Sequence, residues 1–191
     1  LLFIAMGLGG WWLDHEAWRK QGWILRQPGR SPTDFVDQAG MGPTLLNMGL
    51  TGALGTAYVL AVGSDLNGPT LGAIFTIVGF SAFGKHPRNI VPIMLGVFIA
   101  SMLKDWSADD PSAVLAALFG TTLAPIAGRF GWRWGIVAGF VHSSVAQTVG
   151  QLHGGLVLYN NGFAAGLVAA ILVPVIIALQ PAATTDPGAP Q

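Results

Sequence analysis

The run WGIVAGFVHSSVAQTVGQLHGGLVLYNNGFAAGLVAAILVPVIIALQPAATT, residues 134–185, contains no Lys, Arg, Asp or Glu. A soluble domain of ordinary composition is about 25% charged, so an uncharged run of this length has no place on a wetted surface. Its final apolar piece, residues 157–179, exceeds the ~20 helical residues that cross a hydrocarbon core. The whole chain follows suit, with 191 residues of which 52% are hydrophobic and 9% charged. Nine basic residues balance nine acidic ones, which excludes a basic nucleic-acid binder. The absence of cysteine removes disulfide scaffolds, thiol catalysis and cysteine-based metal sites. These features imply an all-α protein, a polytopic transmembrane helical bundle whose first partner is the lipid bilayer.

Outward from that run, charged or Gly/Pro-rich joints separate further apolar stretches. The spans read as residues 1–13 (partial), 43–63, 69–84, 90–104, 112–128, 134–152 and 157–179. The opening LLFIAMGLGGWWL is too short to cross and lacks a basic n-region, so it reads as the end of a truncated helix rather than a signal peptide. On that reading the missing N-terminal half of the same protein is itself a partner. Residues 14–42 then form a cytoplasmic amphipathic loop or an ordinary connector. Residues 43–179 form a bundle of about six spans, and 180–191 a polar tail. The third and fourth spans are short, about 24 Å at 1.5 Å per residue, which leaves tilt, thinning or a re-entrant path open.

Charge tests the layout. Arg19, Lys20, Arg26, Arg30, Lys85, Arg88, Arg129 and Arg133 fall on one side of six full crossings, and Lys104 alone on the other. By the positive-inside rule the first side is cytoplasmic, and the C-terminus with it. Trp11, Trp12, Trp18, Trp23, Trp106, Trp132 and Trp134 all sit at span ends or in joints, as an interfacial belt requires.

Asn47 to Leu54 (NMGLTGAL) resembles Asn160 to Leu167 (NNGFAAGL), and the layout gives the two copies opposite directions. That is the arrangement of inverted-repeat transporters, although a Gly/Ala-rich chain also yields such matches by chance. The Gly pair and Asn-Asn-Gly of LHGGLVLYNNGF predict a broken helix or one beginning late, near Asn161. The plainer role for Asn160 and Asn161 is capping the last helix. Gly135, Gly139, Ser143, Gln147 and Gln151 recur every four residues on one face. They read either as interhelical hydrogen-bonding and packing residues or as a neutral lining for a solute path.

His142 is the mid-span candidate for proton handling, with His153 at a joint. Neither has an acidic or cysteine neighbour in sequence to build a metal site, so no metal or other cofactor is expected. The stretch Gly79 to His86 spells GxxxxGK followed by His, but lacks the Ser/Thr of a phosphate loop, and Pro87 interrupts the helix that loop needs. It reads instead as a cytoplasmic turn, Lys85, His86 and Arg88 facing headgroups or guarding a mouth, with Asn89 capping the next helix. Across the chain Asn67 caps a helix that holds Pro69 in its first turn. No carboxylate falls within a span and no nucleophile–base pair or HExxH is present, so an enzyme is not expected.

The motifs FGKHPRN, NMGLTG, DLNGPTLGAIFT and LYNNGFAAGL resemble those of the uncharacterised prokaryotic polytopic membrane proteins grouped as domain of unknown function 1576. The likeness runs from about Asp34 to about Pro174. It implies a multi-pass protein of the prokaryotic cell (inner) membrane, longer than this chain, and carries over no catalytic residue. Gln147, Gln151 and the YNNG turn are also similar to features of urea-channel-like proteins.

The function expected from these features is a transporter or channel for a small polar uncharged solute, with Asn47, His142, Ser143, Gln147, Gln151, Asn160 and Asn161 along its path. A homo-oligomer is compatible with it. The alternative is a non-transporting membrane scaffold or subunit of a membrane complex.

Overall fold

The computed structural model describes residues 1–149 and 157–180. Every regular element among them is helical: α1 (Leu2–Leu13), α2 (Ala17–Ile24), α3 (Phe35–Ala39), α4 (Met41–Ala61), α5 (Gly68–Phe80) and α6 (Pro87–Leu103), then α7 (Pro111–Gly120), a 3₁₀ turn (Thr121–Leu123), α8 (Ala124–Phe130), α9 (Trp132–Thr148) and α10 (Val157–Leu179). The all-α class is as composition dictates. Three stretches are long and apolar enough to cross a membrane, namely Met41–Ala61, Pro111–Phe130 and Tyr159–Leu179. Along α10, Ile171, Val175 and Ile177 point away from the bundle, as side chains that meet lipid do.

Two glycine-rich contacts hold the bundle. In the first, α1 runs antiparallel to α4, with Gly10 against Gly42, and Phe3 and Gly7 against Gly49. In the second, α6 and α9 lie parallel, with Gly96 against Ile136 and Phe140, and Gly139 against Ile93. A β-carbon at Gly96 or Gly139 would collide with the facing backbone. Apolar helices in lipid gain little from hydrophobic burial against each other, so close backbone approach through small residues is what joins them. The first half of the four-residue stripe on α9 is therefore a packing face.

One local device starts both α4 and α9. Each follows a short helix (α3 or α8) and begins at a glycine of nearly identical conformation, Gly40 at φ 96°, ψ 166° and Gly131 at φ 97°, ψ 164°. Positive φ of this kind favours glycine, so each marks a fixed reversal into a long helix.

The stretch 14–42 is built into one end of the bundle. Its helix α2 buries Ala17, Gln21 and Ile24, and Phe35 N–H donates to the Ala82 carbonyl at 2.8 Å. Pro28 lies against Gly128 and Gly29 against Gly84. The joints carrying Arg26, Arg30, Lys85, Arg88 and Arg129 thus gather at one end. Lys104, at the opposite end of α6, sits 5.7 Å from the Phe140 ring centre.

Two expectations need correction. Helix α10 starts at Val157, so Asn160 and Asn161 lie within it and neither caps nor breaks it at Asn161. The break falls at Thr121–Leu123 instead. Pro125, with no N–H, cannot bond the Thr121 carbonyl; Ala124 N–H takes that carbonyl, and the tighter turn results. Before α6, the N-cap is His86 rather than Asn89, and Asn89 Oδ1 reaches back to accept the His86 N–H at 2.9 Å. The Asn67 cap is present, its Oδ1 accepting from Thr70 N–H at 3.1 Å.

Candidate functional site

The turn between α5 and α6 leaves carbonyls that a helix can no longer satisfy, and in a membrane bundle they must find protein partners. Asn47, fully buried on α4, supplies them. Its Nδ2 donates to the carbonyls of Ser81 and Lys85, each at 2.8 Å, and its Oδ1 accepts from Gln21 Nε2 at 2.9 Å. Beside it, Thr51 Oγ1 and Ser81 Oγ pair at 2.7 Å. The amide of Asn47 therefore clamps α2, α4 and the α5–α6 turn together.

The same turn sends a charge inward. Expected to face headgroups or guard a mouth, Lys85 is only 8% exposed, and its Nζ donates to Thr121 Oγ1 at 2.8 Å. The ring of Phe80 is centred 5.2 Å from that Nζ. Thr121 in turn donates to the Leu118 carbonyl at 2.6 Å. The ion pairs among the described residues, Arg19–Glu16 and Lys20–Asp14, are elsewhere. An ammonium with three donors thus meets one hydroxyl and an aromatic face, at the interruption of the Pro111–Phe130 crossing. Of the turn residues, Arg88 stays exposed.

The interruption also meets the second candidate cluster. A β-carbon on Gly120 would lie 2.7 Å from His142 Cδ2, so the imidazole packs directly on the end of α7. His142 is fully buried, and its Nε2 donates to Asn161 Oδ1 at 3.0 Å. Ser143 is also fully buried, and its Oγ has no hydrogen-bond partner among the described residues; the same is true of Gln147 Nε2. Asn160 is buried beside Asn161. Gln151 and His153 lie outside the described residues.

A polar path therefore runs from Gln21 through Asn47 and Lys85 to Thr121, and the His142–Asn161 pair packs beside its end, against Gly120. The structure brings Asn47 together with Lys85, and His142 with Asn161. Among the described residues no group of three or more His, Asp or Glu side chains is placed to hold a metal.

A family model described as a protein of unknown function (DUF1576) matches residues 13–178. The chain belongs to this family. The match takes in every residue of the polar path. No curated protein and no solved structure matches the chain.

Two members of the path escape sequence reading. Gln21 sits in a polar joint with nothing to distinguish it from surface glutamine. Thr121 does carry a signal, the Pro125 four residues ahead within an apolar stretch, which marks a freed carbonyl and hence a break in the Pro111–Phe130 stretch.

Proposed function

We propose that this protein is a membrane transporter for a small polar solute, and that its solute-binding centre lies where Lys85 meets the interrupted α7–α8 crossing. The observation that carries this is the burial of the Lys85 ammonium on Thr121 with no carboxylate partner among the described residues. A charge inside a membrane bundle is costly and marks a solute or ion pathway by default. Interrupted helices are where transporters place such sites. Because a cation stands in the path, the solute is one that offers an oxygen acceptor, a carbonyl or a carboxylate, rather than any neutral molecule. Asn161 and His142 supply further polar contacts, and the centre performs no bond-making chemistry. The protein then sits in the cell membrane with its cationic end toward the cytoplasm, in line with the positive-inside rule.

Flux into proteoliposomes tests this with a panel of urea, acetamide, glycerol and small monocarboxylates. Acceptor-bearing solutes should enter, and Lys85→Met and Asn161→Leu should each suppress that entry. Entry unchanged by both substitutions, or no entry of any panel member, would remove the proposal.

A second reading, a membrane scaffold or subunit, draws on Asn47, whose amide is wholly used in holding helices together. It predicts that the same substitutions alter melting or assembly and leave every permeability where it was.

A further inference from the structure

At the cationic end, a cleft of about 210 Å³ opens between the stretch after α2, the start of α6 and the α8–α9 junction. Arg26, Arg88, His86 and Trp132 line it, and no acidic residue does. Both guanidiniums are free of ion pairs among the described residues. Two long helices begin at its wall, α6 after His86 and α9 after Gly131; the N–H groups that open α6 are taken up within its own cap, but the unbonded first N–H groups of α9 and the positive ends of both dipoles add to the guanidinium charge.

His86 narrows the chemistry. Its ring is 1% exposed, and Nε2 lies 2.9 Å from the Gln27 carbonyl. A carbonyl only accepts, so Nε2 carries the hydrogen, and Nδ1 is an acceptor with no hydrogen-bond partner among the described residues. A cationic cleft with one buried acceptor in its wall suits an anion that still carries a proton. Phosphate monoesters and inorganic phosphate do so for a fraction of the population near neutral pH and for most of it in mild acid, since their second pKa is about 6. Sulfate and phosphodiesters do not. The volume also falls below the roughly 300–1,000 Å³ of sites for drug-sized ligands, so a headgroup-sized anion fits and a nucleotide does not.

We propose that this cleft is a phosphate-binding site, in which Arg26 and Arg88 hold a monoester-type phosphate against the starts of α6 and α9 and His86 Nδ1 accepts its hydroxyl. The phosphate is either free or the headgroup of a lipid such as phosphatidic acid. This is separate from the Lys85 centre, and neither reading depends on the other.

The test uses the purified full chain in a neutral detergent, with melting temperature followed against inorganic phosphate, sulfate, phosphatidic acid and phosphatidylglycerol. Saturable stabilisation by inorganic phosphate supports a free anion, and stabilisation by phosphatidic acid alone supports a headgroup; both support the site. Arg26→Gln and Arg88→Gln, each at an exposed side chain, should weaken the effect by about tenfold or more, the loss expected for a charge-assisted hydrogen bond. Arg129→Gln, outside the cleft, should leave it intact. Equal stabilisation by sulfate or phosphatidylglycerol overturns the assignment, as does a response that survives both cleft substitutions or no response to any phosphate.

Discussion

Lys85 Nζ stands 2.8 Å from Thr121 Oγ1, and this contact joins the turn between α5 and α6 to the break between α7 and α8. Two irregular pieces of backbone, each unwelcome in lipid by itself, are thereby set against each other inside the bundle. The contact is also the one place where a buried cation and a helix interruption coincide among the described residues.

Removing either partner should have opposite effects on stability. Lys85→Met takes away a desolvated charge and leaves Thr121 with its Leu118 bond, so melting should be unchanged or raised, by up to about 3 kcal/mol. Thr121→Val strands the ammonium and should cost about 1–3 kcal/mol. Thermal melts of both variants in one detergent check this. A Lys85→Met protein that melts as low as Thr121→Val would show that the lysine holds the fold rather than straining it.

Asn47 should be the most sensitive polar position. In Asn47→Leu three buried groups, the Ser81 and Lys85 carbonyls and the Gln21 amide, lose their partner at once. At about 1–3 kcal/mol for each unsatisfied buried group, the total should exceed about 3 kcal/mol. Gln21→Leu removes one donor to a side-chain oxygen and should cost about 1 kcal/mol. Comparable losses for the two, measured by melting, would argue that the clamp is centred on α2 instead.

How much of this was legible follows from how local each signal is. The uncharged run 134–185 announces a membrane bundle because hydrocarbon selects composition residue by residue. Asn47 stands out in sequence as the start of the stretch matched to 160–167, and nothing in the sequence says that its partner is the turn 38 residues away. Lys85 reads as facing headgroups or guarding a mouth because it stands in a charged turn with His86 and Arg88; the inward path to Thr121 is a tertiary contact. The reverse happened at Asn160-Asn161-Gly162. Propensity reads a break there, but helix α10 continues through it, with Asn161 tied to His142, and tertiary bonding overrides a weak local preference.

Glycines on the helix faces should divide sharply. Gly139→Ala drives a methyl group into the Ile93 backbone and should cost about 1–3 kcal/mol or more, since overpacking moves whole helices. Gly166→Ala on α10 meets nothing within 4 Å. It should be neutral or stabilising by up to about 1 kcal/mol through helix propensity. Melting curves that fail to separate the two substitutions would mean that α6 and α9 are not in backbone contact.

His86 should make stability fall with acid. Burial holds its pKa below the ordinary histidine value; the Gln27 carbonyl pulls it upward without prevailing, and the charge of Arg88 adds to the lowering. The other cation lining its cleft, Arg26, acts in the same sense as Arg88, and no carboxylate lines the cleft to oppose them. Below pH ~6.5 the unfolded chain therefore takes a proton that the folded ring refuses, so the unfolded state binds more protons and gains as pH falls. The contribution is complete above that pH and is lost progressively toward the lower folded value. His86→Gln keeps a donor for the Gln27 carbonyl but cannot titrate, so its melting temperature should drop less than that of the natural protein between pH 8 and pH 5. Parallel pH profiles for the two proteins would mean that the histidine protonates as readily folded as unfolded.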